Sequence, residues 1–291
     1  MINFVFWGTD EFSVAVLNEL EKVGFLPSLV VTAPDRPKGR KLVLTASAVK
    51  VWARVRSIPV LQPSNPDDIK RFKFEKIPEV FIVASYGLII SKDVLDIPKR
   101  GALNVHPSLL PKYRGASPVQ GAILNDDGET GVSIMLMDEK MDHGPILARE
   151  TFKTKGKKGE NGEILPAREI ELKLAILGGR LLAKILPQWL NGAVETTAQD
   201  ESKATYTKKI AKTDGLIDLE NGNPRRNFLK IRAYDGWPGA YFFSSKAGRK
   251  IRVIIKEAEW QEGLVLKKVL PENRKEVSYD SFLQSVKKGG L

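Results

Sequence analysis

Cysteine is absent from the 291 residues, and the two histidines are His106 and His143. Disulfides, thiolate catalysis and cysteine-ligated metals are therefore excluded, and we expect no metal site. No apolar run approaches the roughly 20 residues that a membrane helix requires. The apolar start, Met1–Trp7, lacks the basic region and cleavage site of a signal peptide. We expect a cytoplasmic protein that does not bind a membrane and that acts as a monomer.

Positive charge is in excess, and it is unevenly placed. The net charge is +11, and residues 206–291 contain 18 Lys and Arg against 10 Asp and Glu. Residues 1–205 contain 28 against 25. The last third of the chain therefore carries most of the positive field, which indicates a polyanionic partner. A basic, solvated surface that only aids solubility is the alternative reading.

The first half of the chain alternates short apolar runs with helical patterns, which predicts an α/β fold around a mostly parallel sheet. Asp10 is placed to cap a first helix, and Leu172–Leu190 has the pattern of a long amphipathic helix. Ligands bind such sheets beyond the carboxyl ends of the strands, so we expect a site after Val105. The predicted strands are Ile2–Trp7, Leu29–Ala33, Val80–Ala84, Ala102–Val105 and Thr130–Met137.

A polar stretch interrupts this pattern and predicts a domain boundary. We assign residues 1–190 to a first domain, 191–206 to a linker and 207–291 to a second domain. The second domain is predicted to be small and β-rich. Its expected strands are Tyr241–Ser244, Lys250–Lys256 and Gly263–Val269.

The residues that can carry chemistry are densest between Asn104 and Asp142. Asn104 and His106 lie two apart at the end of a predicted strand, so they project to the same side. An amide can donate to a developing oxyanion, an imidazole can donate or relay a proton, and a carboxylate can orient the imidazole. Each residue also has an ordinary structural reading as a cap, a buried histidine or a turn residue. Their joint occurrence around the stiff loop Pro107–Pro111 favours acyl transfer without a covalent intermediate.

Residues 104–115, Asn-Val-His-Pro-Ser-Leu-Leu-Pro-Lys-Tyr-Arg-Gly, with Asp142 downstream, closely resemble the signature of the folate-dependent formyltransferases. The resemblance implies a Rossmann-like domain and 10-formyltetrahydrofolate as co-substrate. It also implies catalytic roles for Asn104, His106 and Asp142. The residues it implies for the folate site are Ser108, Leu109, Leu110 and Pro111.

Four further stretches, 6–12, 32–42, 84–89 and 234–240, resemble the branch of that family whose amine acceptor is methionyl-tRNA. The likeness implies that initiator methionyl-tRNA is the partner, that its free amino group is formylated for translation initiation, and that 207–291 is an OB-like tRNA-binding domain. It also implies a folate-pocket strand formed by Tyr86, Gly87, Leu88 and Ile89. The expected tRNA contacts are Arg36, Lys38, Arg40, Lys41, Lys208 and Lys209.

Two features depart from the family pattern. His143 could place a second imidazole beside Asp142, or it could simply face solvent. The segment between Trp260 and Gly263 is abbreviated, which predicts a shortened second domain without a full five-stranded barrel.

Three other functions stay open at the level of sequence. The first is the same chemistry on a nucleotide-linked amino sugar or on glycinamide ribonucleotide, which the basic 33–42 loop disfavours. The second is a nicotinamide-dependent oxidoreductase, but Gly8-Thr9-Asp10 does not form the GxGxxG phosphate loop. The third is a nucleic-acid-binding module without catalysis, which the set Asn104, His106 and Asp142 argues against.

Overall fold

The computed structural model describes residues 2–39, 42–156, 163–246 and 249–287. They form two compact units, each assembled from separate stretches of the chain. The first unit comprises residues 1–118, 130–152 and 171–207, and the second comprises 119–129, 153–170 and 208–291. The expected functional division at residues 190 and 207 stays a prediction, although the whole expected linker, 191–206, belongs to the first unit.

The chain through residue 207 contains the strands and helices that build the first unit, and also the helix Pro118–Leu124, which belongs to the second unit from residue 119 onward. Its strands are β1 (Phe4–Gly8), β2 (Leu29–Val31), β3 (Arg36–Lys38), β4 (Val43–Thr45), β5 (Val60–Leu61), β6 (Val80–Ala84), β7 (Ala102–His106), β8 (Arg114–Gly115), β9 (Glu129–Leu136), β10 (Ile146–Lys153) and β11 (Tyr206–Thr207). Its α-helices are α1 (Glu11–Lys22), α2 (Ala48–Val55), α3 (Lys92–Leu95), α4 (Pro118–Leu124) and α5 (Ala167–Leu190). Short 3₁₀ helices span Pro66–Arg71 and Glu201–Lys203.

Seven of these strands form one sheet in the order β10-β9-β7-β6-β1-β2-β5. The neighbours from β7 to β5 pair in parallel, whereas β9 runs antiparallel to β7. The predicted α/β fold with a mostly parallel sheet is therefore confirmed.

Packing on both faces explains why the central strands are continuous apolar runs. Every residue of β1 is buried. Phe4 and Phe6 join one core cluster, whereas Val5 and Trp7 join a cluster on the opposite face. This alternation is the two-residue period of a strand. The helix that follows β1 begins as predicted, because the Asp10 carboxylate accepts a hydrogen bond of 3.2 Å from the Ser13 backbone N–H.

Helix α5 lies against β7 and thereby fixes the direction in which that strand presents its polar residues. An added Cβ at Gly178 would lie 2.6 Å from Val105 Cγ1, so only glycine allows this approach. Val105 packs in the core cluster that contains Ala175 and Leu182 of α5. Asn104 and His106 flank Val105 and therefore face the other side of the sheet.

The chain after β7 is held by the short parallel pair β8–β11. Gly115 has a φ of +108°, in the left-handed region that favours glycine. An added Cβ there would lie 2.3 Å from the Thr207 carbonyl oxygen. The pairing of β8 with β11 therefore requires glycine at position 115.

The second unit is built around an antiparallel sheet. Its elements after residue 207 are a 3₁₀ helix (Lys212–Gly215), α6 (Pro224–Ala233), β12 (Tyr241–Lys246), β13 (Arg249–Trp260), β14 (Leu264–Pro271), β15 (Val277–Ser278) and α7 (Tyr279–Lys287). The strands pair in the order β12-β13-β14-β15. The expected β-rich second domain is confirmed, and in the described residues its sheet has four strands.

Two ion pairs join the three chain stretches of the second unit. Arg225 makes a bidentate contact with Asp126 at 2.7 and 2.9 Å. Glu163 pairs with Arg232 and accepts a hydrogen bond of 2.6 Å from the Trp260 backbone N–H. Among the described residues, no helix of either unit is both long and apolar enough to cross a membrane.

Gly115→Ala should destabilise the protein, because alanine is strained at this φ and its Cβ collides with the Thr207 backbone. Such backbone strain costs on the order of 1–3 kcal/mol. We expect a lower free energy of unfolding in urea titrations. Gly263→Ala is the matched control, because an added Cβ there has no neighbour within 4 Å. Equal stability of the two variants would contradict this account of β8–β11.

Candidate active site

The end of β7 presents an amide and an imidazole to one side of the sheet. Asn104 is half-buried, and His106 is buried with 4% of its surface exposed. The pairing of β7 with β9 places His106 opposite Ser133, so the strand backbone is held on that side. Both predicted residues therefore lie where the strand rule placed them.

Asp142 reaches the same place from the turn after β9. Its Oδ1 accepts a long hydrogen bond of 3.4 Å from Asn104 Nδ2 and lies 3.6 Å from His106 Nδ1. Its Oδ2 accepts a hydrogen bond of 2.7 Å from the Gly115 backbone N–H. The carboxylate thus contacts both polar residues of β7 and the loop that follows them, and the structure brings the three expected residues together.

The imidazole of His106 is fixed through both of its nitrogens. Its Nε2 donates to the Tyr113 carbonyl oxygen at 3.0 Å, which requires a proton on Nε2 because a carbonyl only accepts. Its Nδ1 faces Asp142. The ring is therefore oriented by the loop on one side and by the carboxylate on the other.

The loop expected to line the folate site divides into inward and outward positions. Ser108 and Leu110 are fully buried, whereas Leu109 and Pro111 are half-buried. Ser108 Oγ donates to the Lys112 carbonyl at 2.6 Å, and Ser133 Oγ bonds the backbone of both buried residues. The side chains of Ser108 and Leu110 hold the loop, so a ligand would meet the backbone and the two half-buried residues.

The expected pocket strand is wrong at residues 86–89, because β6 ends at Ala84 and these residues lie in the loop that follows it. They divide into buried and exposed positions in the same way. Tyr86 is buried edge-on against Trp7 at 5.1 Å between ring centroids, and burial raises the pKa of its hydroxyl to about 12. Gly87 is exposed, and Leu88 and Ile89 are 37% and 91% exposed. Tyr86 therefore belongs to the core, and the next three residues present backbone and apolar surface to solvent.

The basic hairpin β3–β4 is anchored at its base through Asp35. Lys50 Nζ lies 2.7 Å from the Asp35 carboxylate, and Gln62 donates to it at 2.8 Å. These contacts hold the pKa of Asp35 below its ordinary value, the Lys50 hydrogen bond being the largest cause. Arg36 is exposed, and Lys38 ends β3.

The other expected tRNA contacts are placed as follows. Arg40 and Lys41 lie outside the described residues. Lys208 and Lys209 are both exposed, and Lys208 Nζ lies 4.0 Å from Asp214.

His143 does not add an imidazole to the cluster around Asp142. Its Nδ1 lies 2.6 Å from Asp138 Oδ2, and its Nε2 lies 3.6 Å from Glu201 Oε1. The side chain is half-buried rather than fully solvated. In the described ranges, no group of three or more His, Cys, Asp or Glu residues is arranged to hold a metal ion.

Sequence reasoning missed Arg114 and Gln199. The Arg114 side chain is 1% exposed and is bonded by Gln199, Glu201 and Tyr206. Arg114 stood inside the recognised motif without a role, and Gln199 stood in a polar stretch that predicted only a linker. A polar stretch carries no signal of a partner 85 residues away.

The sequence and the fold of this chain resemble those of known proteins. The family model described as "Formyl transferase" matches residues 2–161. A methionyl-tRNA formyltransferase of Chloroflexus aurantiacus is 41% identical over 257 residues, which cover 87% of this chain and 79% of that protein. A methionyl-tRNA formyltransferase of Herpetosiphon aurantiacus is 44% identical over 244 residues, 82% of this chain and 76% of the relative.

Solved structures share the fold at low sequence identity. The methionyl-tRNA formyltransferase from Clostridium thermocellum has a TM-score of 0.61 and 16% identity, and the match covers 96% of this chain and all of that one. HypX from Aquifex aeolicus in complex with tetrahydrofolic acid has a TM-score of 0.64 and 17% identity, covering 99% of this chain and 48% of that one. The family match over more than half of the sequence, with relatives above 40% identity, shows that this chain belongs to the formyl transferase family.

Proposed function

We propose that this chain transfers the formyl group of 10-formyltetrahydrofolate to the free amino group of methionyl-tRNA, giving formylmethionyl-tRNA for translation initiation. The observation that carries the proposal is the contact of Asp142 with both Asn104 and His106 at the end of β7, in a member of the formyl transferase family. Two relatives above 40% identity, those of Chloroflexus aurantiacus and Herpetosiphon aurantiacus, are named for methionyl-tRNA. We further propose that the protein acts as a monomer in the cytoplasm.

Direct transfer suits these three side chains. The neutral amine attacks the formyl carbon, a new N–C bond forms, and the bond from that carbon to the folate nitrogen breaks. Negative charge grows on the formyl oxygen, where the second amide N–H of Asn104 can donate, together with His106 Nδ1 when that nitrogen carries a proton. The amine loses a proton and the leaving nitrogen gains one, and the pair His106 and Asp142 is placed to relay it.

The surface beside this cluster suits a flat, partly polar ring system. Leu88, Ile89, Leu109 and Pro111 offer apolar area, and the turn at Gly87 presents backbone hydrogen-bonding groups. Ligand sites commonly combine apolar walls with a few polar groups. We propose that these residues hold the folate, and that Ser108, Leu110 and Tyr86 support them from the core.

The basic segments support a tRNA acceptor. Lys and Arg contacts to phosphates position a nucleic acid without reading its sequence. We propose that Arg36, Lys38, Arg40 and Lys41 meet the acceptor end, and that residues 207–291 with Lys208 and Lys209 bind elsewhere on the tRNA. The same fold in N-formyltransferases of nucleotide-linked sugars makes an amino sugar the runner-up acceptor, but that likeness has only 19% identity.

The proposed function is tested by incubating the protein with methionyl-tRNA and 10-formyltetrahydrofolate and detecting formylmethionine. Asn104→Ala and His106→Ala should each lower kcat far more than they weaken folate binding, because these groups meet charge that grows in the transition state. Asp142→Ala should act in the same direction, because the His106 imidazole loses the carboxylate that orients it. Loss of one oxyanion donor typically costs about a hundred- to thousandfold in rate.

His143→Ala is the matched control for His106→Ala, because it removes the other imidazole, whose nitrogens contact Asp138 and Glu201 rather than Asn104 or Asp142. Its kcat should stay near that of the wild type. Normal turnover in any of the three variants at saturating substrate would remove that residue from the mechanism. Formylation of a nucleotide-linked amino sugar but not of methionyl-tRNA would select the runner-up.

The hairpin is expected to choose the acceptor rather than perform the chemistry. Arg40→Ala combined with Lys41→Ala should lower formylation of methionyl-tRNA by about tenfold or more, since each charge-assisted hydrogen bond is worth about 1.5–3 kcal/mol. Folate binding and slow transfer to a small amine should be unaffected. The control is Arg71→Ala with Lys76→Ala, two exposed cations on the same unit. Equal losses in all three measurements would show that the hairpin supports the active site itself.

Lysines near the start of the second domain are expected to displace counterions from the tRNA. Lys208→Ala with Lys209→Ala should reduce the slope of log affinity against log salt by about 2, which is about 1 for each phosphate contact. Lys92→Ala with Lys99→Ala removes two exposed lysines from another surface and should leave the slope unchanged. An unchanged slope in the first pair would mean that these lysines only face solvent.

A further inference from the structure

Behind Asp142 lies a side chain that the reaction has not used. Gln199 Nε2 donates to the Asp142 carbonyl at 2.9 Å and to the Gly144 carbonyl at 2.8 Å. Its Oε1 accepts from Arg114 Nε at 3.1 Å and from Nη2 at 2.9 Å. Both amide protons and both lone pairs of this one side chain are therefore engaged.

Arg114 determines which way the Gln199 amide points. A guanidinium donates and never accepts, so it binds the amide oxygen and leaves the NH₂ group facing the turn at Asp142. Arg114 itself is held by the Glu201 carboxylate at 2.6 and 3.0 Å and by the Tyr206 hydroxyl at 3.1 Å. The hydrogen bond that Arg114 donates to Glu201 is the largest cause that raises the pKa of Arg114, which keeps the guanidinium charged.

The turn at Asp142 needs such support. Asp142 has a φ of +49°, in the left-handed region where residues other than glycine are uncommon. Conformations of this kind persist when the surrounding structure fixes them. Gln199 holds the carbonyls of Asp142 and Gly144, and Gly144 is packed so closely that an added Cβ would lie 1.9 Å from the Leu136 carbonyl oxygen. The direction of the Asp142 side chain therefore follows from contacts made by its backbone.

We propose that Gln199, oriented by Arg114, is a positioning residue that holds the Asp142 carboxylate against His106, an inference that rests on the proposed formyl transfer. Gln199 lies 57 residues from Asp142 in the chain and contacts only its backbone. Gln199 affects the reaction by positioning the Asp142 carboxylate. In the described residues it has no contact with Asn104 or His106.

Gln199→Glu tests the hydrogen bonds to the Asp142 and Gly144 carbonyls separately from those with Arg114. The glutamate keeps an acceptor for Arg114, but it puts a carboxylate oxygen where two carbonyls now receive protons. We expect kcat for formyl transfer to fall by about ten- to hundredfold, because displacement of a catalytic group by about 1 Å can cost that much. The KM values for folate and tRNA should be unchanged. Gln188→Glu makes the same chemical change at an exposed site on α5 and should leave kcat unchanged.

NMR can report the position of the Asp142 carboxylate independently of the enzymatic reaction. The Gly115 N–H donates to Asp142 Oδ2, so its proton resonance reports whether the carboxylate is in place. Two glycines follow an arginine in the sequence, Gly101 and Gly115, so labelling with carbonyl-¹³C arginine and ¹⁵N glycine isolates these two signals. In Gln199→Glu the Gly115 signal should move toward its position in Asp142→Ala, while the Gly101 signal stays.

A double-mutant cycle completes the test. If Gln199 acts through Asp142, Gln199→Glu has no further effect on kcat in the Asp142→Ala background. Full multiplication of the two effects would overturn the proposal, and so would a Gly115 signal that stays at its wild-type position. If wild-type protein does not formylate methionyl-tRNA, the proposed function fails, and the Gly115 signal alone decides whether Gln199 places the carboxylate.

Discussion

The buried guanidinium of Arg114 is the charge around which the candidate active site is assembled. Taking an ion out of water costs several kcal/mol unless it is paired and fully hydrogen-bonded. Gln199, Glu201 and Tyr206 satisfy this requirement, and all three come from the last stretch of the first unit, residues 171–207. Because an unpaired buried charge would cost several kcal/mol, the folded protein keeps residues 199–206 bound to the loop after β7. The backbone pairing of β8 with β11 follows from the same attachment.

The three candidate catalytic residues are held with very different strength. Asn104 and His106 sit on a central strand whose backbone is bonded on both sides, so their directions are fixed by the sheet. Asp142 sits on a turn and depends on hydrogen bonds from other segments. The precision with which such a site places its carboxylate next to the imidazole depends on the residue that is held by the fewest contacts. The contacts that matter most for precision are therefore those around Asp142.

The alternation of side chains along a strand predicted which polar residues β7 presents to the site. The motif at residues 104–115 predicted the residues that the family has in common. The two-residue spacing of Asn104 and His106 was sufficient to place them on one side of β7. Asp142 was a candidate from its residue type and from the motif, but nothing in a turn sequence says where its carboxylate points. The motif also suggested Ser108 and Leu110 for the folate site, but both side chains are buried in the loop's own support. Gln199 was missed because hydrogen bonds between distant polar residues leave no periodic trace.

The second unit is discontinuous in the chain, and this has a consequence for synthesis on the ribosome. Residues 119–129 and 153–170 emerge well before residues 208–291, with which they form a unit. Asp126 and Glu163 then await Arg225 and Arg232, which emerge 99 and 69 residues later. The first unit has all its stretches once residue 207 has left the exit tunnel. The two carboxylates therefore lack these arginine partners until α6 has emerged, so the second unit can complete its ion pairs only late in synthesis.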